Sequence, residues 1–529
     1  MDPKEFFTVV DWAVVFGYLL LTTLVGHFLS GKQSSIKDFF LAGRSLPWPA
    51  VSGSIIATEI SGVTFIGVPG MVYAAEGNFT YLQWGIGSII ARVLVGIYFV
   101  KAFYERDIYS PYDYMGNRLG SGVKKLATIL FQIGGILGQS VRVLVAALAL
   151  KVVTQLEFHH CIWIIGAFAI GWTLMGGMQT VIWTDVMQFF LFVGAAIFSL
   201  CWMLGGITGG FHEVLSVAGE AKKLTLLNLS TDPAAGFTLW VAIIAVPFQN
   251  LSMFGVDQLN AQRMFCCRNE QDARKAIIAS SAALLITALM LMVGAAMYTY
   301  YHQIHIPESF SAFQAHIDSL EPKQKNNAYY PVWIVTEIPQ GLRALILAGI
   351  FAAAISSLDS ILAALSQTSF SLLRNPDAKK PFLPQLSELQ LSRLLVIVWG
   401  IALSGFAIVI NLIQNENIVQ LAFGMTSYTV GPMLGFFLAA FFTPKATFRG
   451  LLIGFIISFL MVLFIRTDIW NLLILRNVFT AEQIVDFSLL KLNDAGKLSI
   501  LIHSAWAWPV TALLTWGFGY LMREKTASN

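Results

Sequence analysis

Charge is scarce in this chain of 529 residues. Acidic and basic residues together make up 12% of the sequence, about half the share usual in soluble proteins, while hydrophobic residues make up 56%. No stretch has the composition of a soluble domain of roughly 100 residues. The formal net charge of +3 is spread over short loops, which does not suggest a nucleic-acid partner. These deficits exclude an ordinary soluble protein.

Cysteines and the motifs of common enzymes are equally sparse. The four cysteines, Cys161, Cys201, Cys266 and Cys267, lack the spacing of metal ligands, and small apolar packing is their simplest interpretation. The sequence has no Walker A loop, no HExxH metalloprotease motif and no GxSxG nucleophile elbow. We therefore expect neither an enzyme nor a cofactor.

Long hydrophobic runs fill most of the chain. Windows of about 20 apolar residues predict about 13 membrane-spanning helices. Their approximate bounds are 9–29, 46–71, 80–104, 125–152, 161–177, 180–205, 237–261, 274–300, 336–373, 392–412, 417–442, 447–466 and 499–522. The N-terminus lacks the features of a cleaved signal peptide, so the first helix is expected to be retained. We expect one all-α integral membrane domain over residues 1–529.

The distribution of lysine and arginine predicts an orientation. With the N-terminus outside, the inner loops and the C-terminal tail carry about 20 of these residues, and the outer loops about 9. Positive charge marks the cytoplasmic side. We expect a multi-pass protein of the plasma or bacterial inner membrane, with a cytoplasmic C-terminus, that functions as a monomer.

One predicted span contains an unusual number of polar and helix-breaking residues. The segment 55–70, IIATEISGVTFIGVPG, has a carboxylate, three hydroxyls, three glycines and a proline. Broken helix at membrane depth is tolerated only where it lines a cavity, and such interrupted spans are the best pointer to a transporter's binding site. The segment predicts a protein that carries a solute across a membrane.

Apart from those near the ends of segments, few ionisable residues lie inside the predicted spans. They are Glu59, Arg92, Arg142, Asp185 and Asp359. A charge at bilayer depth costs several kcal/mol unless it is paired or hydrated, so each is a candidate functional residue. Snorkelling or a structural ion pair is the alternative, and for Arg92 it is as good an interpretation as a functional one.

Asp359 stands among serines in a span with little else that is polar. On a helix, Ser356, Asp359 and Ser360 share one face, with Ser357 next to Ser356. Hard cations take oxygen ligands, and this face offers no nitrogen or sulfur ligand. The serines could instead bond to carbonyls of their own helix. Three serines beside an aspartate favour a Na⁺ site.

Four motifs in order resemble the sodium/solute symporter family. They are FFLAGRSLPW at 39–48, Gly176-Gly177 followed by WTDVMQ at 183–188, FGVDQ at 254–258 with Gln262-Arg263, and Ser356-Ser357. The family has an asparagine where Asp257 stands. The resemblance implies a leucine-transporter-type fold of two five-helix inverted repeats, at about 46–205 and 237–442. The helix 9–29 would precede the repeats, and two C-terminal helices at 447–522 would follow. Polar broken segments at 55–70 and 247–252 fit corresponding positions of the two repeats.

The resemblance also implies two ion sites. The main sodium site would use backbone oxygens of the broken first core helix together with oxygens of the eighth: Ala57, Ile60, Ala353, Ser356 and Ser357. A second ion site, found in some members, would consist of Asp185, Ser356, Asp359 and Ser360. Asp359 replaces the serine or threonine of several members, so the two carboxylates could hold a second Na⁺ more strongly or allow one carboxylate to take a proton.

The predicted solute contacts come from two branches of the family. Resemblance to its sialic acid transporters implies Ser61, Thr64, Phe79, Gln83 and Arg142, and Asn250 matches a polar contact of the sugar transporters. Glu59 replaces a threonine of the sialic acid transporters, and it could bind a solute hydroxyl or amine, carry a proton, or pair with Arg142. Because a guanidinium binds a carboxylate bidentately, Arg142 favours a carboxylated solute.

The sequence therefore predicts a sodium-coupled symporter for a small organic solute, such as sialic acid, a related sugar acid or a monocarboxylate. A sodium/neutral-sugar symporter is the alternative, although sugar-transporting members have a glutamate at Gln83 and a lysine on the seventh helix that this chain lacks. A non-transporting sensor and a passive channel are further alternatives. The expected partners are Na⁺, the solute and the lipid bilayer.

Overall fold

A computed structural model describes residues 7–29, 41–106, 108, 110–174, 178–303, 313–318, 322–373, 386, 388–413, 418–493 and 496–524. This part of the chain is almost entirely helical. Its one sheet is an antiparallel pair of short strands, β1 (Leu490–Leu492) and β2 (Leu498–Ile500). The predicted motif residues 39–40 and 176–177 lie outside the described residues.

The α-helices make up most of the described residues. In chain order they are α1 (Val9–Leu29), α2 (Trp48–Glu59), α3 (Val68–Tyr73), α4 (Trp84–Leu94), α5 (Val100–Tyr104), α6 (Pro111–Leu119), α7 (Ser121–Thr154), α8 (Phe158–Thr173), α9 (Met178–Gly206), α10 (Gly210–Glu220), α11 (Val246–Gly255), α12 (Gln258–Phe265), α13 (Glu270–Ala279), α14 (Ala283–Gln303), α15 (Gln314–Asp318), α16 (Pro322–Glu337), α17 (Leu342–Leu373), α18 (Glu388–Ile413), α19 (Ile418–Thr426), α20 (Val430–Phe442), α21 (Phe448–Ile465), α22 (Asp468–Leu475), α23 (Ala481–Val485) and α24 (Ala507–Leu521).

Seven helices in the described residues are long and apolar enough to cross a membrane, and up to nine spans result if each of two bent pairs is counted as one. Three shorter apolar helices of 10–17 residues add to them. The number of 13 spans stays a prediction, because hydropathy alone does not show where a span is bent or short. At 499–522 the prediction was too long, since β2 includes Ser499 and Ile500 and α24 begins at Ala507.

The predicted break in 55–70 is present. Helix α2 ends at Glu59, Ile60 has extended backbone angles (φ −76°, ψ 104°), and the chain then bends by 55° into a π-turn (Val63–Gly67) and α3. The N–H of Ile60 donates to Ile56 O, and the next backbone bond runs from Thr64 N to Ser61 O. No backbone N–H of the described chain reaches the carbonyl oxygens of Ala57 and Ile60 in between.

The second segment predicted to be broken, 247–252, is helical and lies within α11, and the break follows it between α11 and α12. Helix α11 ends at Gly255, and Asp257 is extended (φ −68°, ψ 129°). The carboxylate of Asp257 accepts the N–H of Leu259 at 2.7 Å and so caps the first turn of α12. Backbone carbonyls are thus left open at the first break, whereas a side chain caps the backbone at the second.

The broken helices lie within a frame of longer ones. Helix α2 packs against α9 and α17, α11 packs against α4, and α7 packs against both α17 and α19. A main-chain hydrogen bond joins the chain just before α2 to the chain just after α12, since Leu46 N donates to Cys266 O at 3.1 Å. The Tyr104 hydroxyl reinforces this junction by donating to the carbonyls of Met264 (2.8 Å) and Cys267 (3.2 Å). The frame fixes both breaks beside one cavity.

Candidate functional site: a cavity between two broken helices

A cavity of about 200 Å³ lies where the two helices are broken. Five of the residues predicted to contact a solute line it, namely Glu59, Ser61, Thr64, Arg142 and Asn250. Aromatic side chains form much of the remaining wall: Tyr81, Trp84, Phe131 and Phe423. A few polar groups in an otherwise apolar enclosure are typical of a small-molecule site.

Two of the predicted solute contacts, Phe79 and Gln83, do not line this cavity. Phe79 is buried in the apolar core. Gln83 lies on a 3₁₀ turn (Thr80–Gln83), and its amide donates to the carbonyls of Thr80 (3.2 Å) and Phe237 (3.3 Å) and accepts the N–H of Asn228 (3.3 Å). These bonds occupy Gln83 with backbone, so the structure gives it a structural position behind the wall.

The partner of Glu59 is Arg92, which the sequence did not suggest. The Arg92 guanidinium forms an ion pair with the Glu59 carboxylate, and the side chains of Arg92 and Glu59 are 0% and 22% exposed. Glu59 therefore does not pair with Arg142 in this structure, and its ion-pair partner lies on α4. A signal was present, because a buried arginine and a buried glutamate in neighbouring spans each need a counter-charge.

Arg142 keeps most of its donors available to the cavity. Its Nη1 donates to the carbonyl of Thr58 at 3.0 Å. Among the described residues, no carboxylate oxygen lies within 4.0 Å of its side-chain nitrogens. Asp257 and Glu59 also line the cavity and interact with Arg142 electrostatically at longer range. A half-buried guanidinium without a carboxylate beside it is a site for an anion.

The predicted second ion site gathers around an arginine. Arg263 donates from Nη2 to Asp185 Oδ2 at 3.0 Å and to Ser360 Oγ at 3.1 Å. Its Nε donates to Ser54 Oγ at 2.9 Å, and Ser54 Oγ donates to Asp185 at 2.6 Å. Ser360 Oγ in turn donates to Asp359 Oδ1 at 3.2 Å. Asp185, Asp359 and Ser360 are thus brought together, as predicted.

Arg263 was not among the residues predicted for this site. Its side chain is 1% exposed, as is that of Asp185. The signal that could have found it is charge balance, because two aspartates on neighbouring helices are too costly to bury without a cation.

The residues predicted for the main sodium site lie on α2 and α17, which are in contact. Ser357 is buried, and its Oγ has no hydrogen-bond partner among the described residues. Helix α17 continues through Ala353 and Ser356, whose side chains lie outside the description. Helix α17 thus offers an orphaned hydroxyl and the end of α2 offers the open carbonyls of Ala57 and Ile60, and oxygens are the ligands that a hard cation such as Na⁺ prefers.

Broken apolar helices around a polar cavity, with an oxygen cluster beside it, define a membrane transporter of small solutes. Residues 39–458 match the family model of the Sodium:solute symporter family, and the chain belongs to that family. It is a sodium-coupled multi-pass transporter, not an enzyme. It uses Na⁺ as its coupling ion and needs no cofactor.

Relatives extend along most of the chain. The sodium/sialic acid symporter SiaT of Proteus mirabilis is 28% identical over 87% of this chain and 90% of its own length. The human sodium-coupled monocarboxylate transporter 1 is 28% identical over 87% of this chain and 73% of its own. A solved structure of a Na⁺-coupled sialic acid symporter, substrate-bound and outward-open, superposes with a TM-score of 0.78 and 24% identity, covering 99% of this chain and 100% of the other. The fold is of the leucine-transporter type.

Proposed function

We propose that this symporter couples the entry of Na⁺ to the uptake of a small organic solute that carries a carboxylate. The observation that carries the proposal is Arg142, a guanidinium that faces the cavity and forms no ion pair among the described residues. Leaving a charge in an apolar interior is costly unless an anion meets it. A solute carboxylate supplies that anion and accepts two parallel hydrogen bonds from the planar group.

The charge of Glu59 supports the same conclusion. Because Glu59 forms its ion pair with Arg92, it interacts with Arg142 only at longer range and leaves the Arg142 guanidinium without a directly paired carboxylate. Its exposed part remains a hydrogen-bond acceptor and suits a hydroxyl of the solute. The names of the relatives, sialic acid and monocarboxylate transporters, agree with a carboxylated solute. We therefore propose sialic acid, a related sugar acid or a monocarboxylate, bound among Glu59, Ser61, Thr64, Arg142 and Asn250.

Two ion sites complete the proposal. The main Na⁺ is assigned to Ala57, Ile60, Ala353, Ser356 and Ser357, on the support of the open carbonyls and the orphaned Ser357 hydroxyl. A second cation is assigned to Asp185, Ser356, Asp359 and Ser360. Two carboxylates and the single Arg263 guanidinium leave one negative charge if both are ionised, and one further cation balances it.

The remaining features of the proposal concern topology. The inverted repeats span about 46–205 and 237–442, with α1 before them and two membrane-spanning segments within 447–522 after them. The N-terminus is outside, the C-terminus is cytoplasmic and the monomer is the transporting unit. Na⁺ favours the state open to the outside, and rocking of the repeats then exposes the cavity to the other side.

Uptake into proteoliposomes tests this function. An inward Na⁺ gradient is compared with choline and with a proton gradient alone, using labelled N-acetylneuraminate, pyruvate, galactose and proline. We expect uptake of a carboxylate to require Na⁺. Equal uptake in choline overturns sodium coupling, and uptake of galactose alone favours the neutral-sugar alternative. Solute binding without uptake of any compound favours a sensor.

A further inference from the structure

Arg92 lies at the centre of a buried hydrogen-bonded chain between the two broken helices. On one side it pairs with Glu59, the last residue of α2. On the other side its Nη1 donates to Ser88 Oγ at 3.0 Å, one turn earlier on α4. Ser88 Oγ donates to Asn250 Oδ1 at 3.0 Å, and Asn250 belongs to α11. Side chains of α4 thus connect the end of one broken helix with the middle of the other.

The chain is held at both ends. Asn250 Nδ2 donates to Gln249 Oε1 at 2.6 Å and to the carbonyl of Val246 at 3.2 Å, which fixes its amide against α11. The Arg92 guanidinium carbon lies 4.2 Å from the ring centroid of Phe254, also on α11. Such stacking over an aromatic face orients the guanidinium plane. These contacts restrict the position of the Arg92 guanidinium, so the Glu59 carboxylate must lie beside that position to form the ion pair.

The position of Glu59 in the chain gives this contact a consequence. Glu59 lies between Ala57 and Ile60, whose carbonyl oxygens receive no backbone N–H from the described residues. Fixing the Glu59 side chain fixes the turn that presents those oxygens. Asn250, at the other end of the chain, faces the cavity. The same four side chains therefore touch the turn proposed to bind Na⁺ and the wall proposed to bind the solute.

We propose that Arg92 is a positioning residue that couples the sodium-binding turn of α2 to the solute-binding wall of α11. The proposal rests on the proposed sodium site. Na⁺ that orders the Ala57–Ile60 turn also orders Glu59, Arg92, Ser88 and Asn250, so the wall is prepared before the solute arrives. By linkage, a change at Asn250 alters the affinity for Na⁺, although Asn250 is no ligand of the ion.

The experiment uses the full chain in detergent with Na⁺ alone as the probe. Thermal unfolding is followed over a Na⁺ titration at constant ionic strength with choline, and the half-stabilising Na⁺ concentration is read from the shift in unfolding temperature. We expect Arg92→Met, Glu59→Gln and Asn250→Ala each to raise this concentration about threefold or more. Arg92→Lys, which keeps the charge, should recover part of the loss.

Two controls separate positioning from stability. Arg343 forms another buried ion pair, with Asp11 at 2.7 Å, so Arg343→Met should lower the unfolding temperature and leave the half-stabilising Na⁺ concentration unchanged. Thr173 bonds to Ala169 O of its own helix and lies outside both the Arg92 hydrogen-bonded chain and the cavity lining, so Thr173→Ala should change neither quantity. If Arg92→Met does not fold, the double variant Glu59→Gln/Arg92→Met takes its place, because it leaves no unpaired charge.

The outcomes are distinct. If the half-stabilising Na⁺ concentration of the double variant is no higher than that of the more affected single variant, Arg92 acts through Glu59. Additive increases contradict this. An unchanged Na⁺ response in Asn250→Ala or in the Arg92 variants overturns the coupling. If wild-type protein shows no specific response to Na⁺, the proposed sodium site itself fails, and the coupling fails with it.

Discussion

Arg263 and Asp185 meet at 3.0 Å in a place where each side chain is only 1% exposed. The two residues come from α12 and α9, and the contact closes one side of the proposed second ion site. An arginine inside a cation site limits what can bind there. Arg263 offsets the charge of Asp185, so the charge of Asp359 is what remains to attract a cation. The two aspartates therefore have different roles.

The two aspartates should therefore respond differently to amidation. Asp185→Asn leaves Arg263 without its ion-pair partner, so it should destabilise the fold by about 3–5 kcal/mol. Asp359→Asn leaves that pair intact and should lower the Hill coefficient of Na⁺ activation towards one. Thermal unfolding and Na⁺ activation of uptake measure the two effects. A wild-type coefficient already near one at saturating solute would leave a single coupled ion.

Ser357→Ala should raise the half-saturating Na⁺ concentration on the order of tenfold while the protein stays folded. The substitution removes a ligand oxygen at the proposed main site and little volume. Because the Ser357 hydroxyl has no hydrogen-bond partner among the described residues, no other bond is lost. Na⁺ activation of uptake measures the change, and unfolding temperature is the control. An unchanged half-saturation would show that the ion binds elsewhere.

Arg142→Lys should weaken solute binding substantially, because a point charge replaces a planar fork. The lost bidentate contact is worth roughly 1.5–3 kcal/mol, on the order of tenfold to a few hundredfold in affinity. Converting the solute carboxylate to an amide should cost a similar factor on the wild type and little on the variant. Competition against labelled solute measures both. Equal losses on the two proteins would show that Arg142 does not contact the carboxylate.

Gln83→Ala should destabilise the protein by about 1–3 kcal/mol and leave the KM for solute almost unchanged. Gln83 has three backbone partners and lies outside the cavity lining, so its loss strands buried groups without removing a solute contact. Unfolding temperature and uptake kinetics measure the two quantities. A KM raised tenfold or more would return Gln83 to the solute site.

Part of this architecture was readable from the sequence. The break after Glu59 was predicted because glycines, hydroxyls and a proline interrupt an apolar run, and the structure bends there by 55°. The meeting of Asp185 with Asp359 and Ser360 was predicted from the family motifs. Long apolar runs also located the long helices, although they overestimated the length of the last one.

Charge balance indicates that these groups need counter-charges but not which residues pair, because the pairing depends on which helix faces are neighbours. Glu59 and Arg92 are separated by 33 positions, and Arg263 and Asp185 by 78. Neither spacing contains information about contact. Gln83 shows the same limit: a 3₁₀ turn rotates its amide towards the Asn228 and Phe237 backbone, and no local pattern indicates that rotation.

The junction of Leu46 with Cys266 has a consequence for how the cavity opens on that side. It joins the chain just before one broken helix to the chain just after the other, by a main-chain hydrogen bond and the Tyr104 hydroxyl. Because backbone atoms form this bond, a side-chain substitution does not directly remove it. The bond holds the start of α2 beside the end of α12. Any movement that separates the start of α2 from the end of α12 must therefore break these bonds.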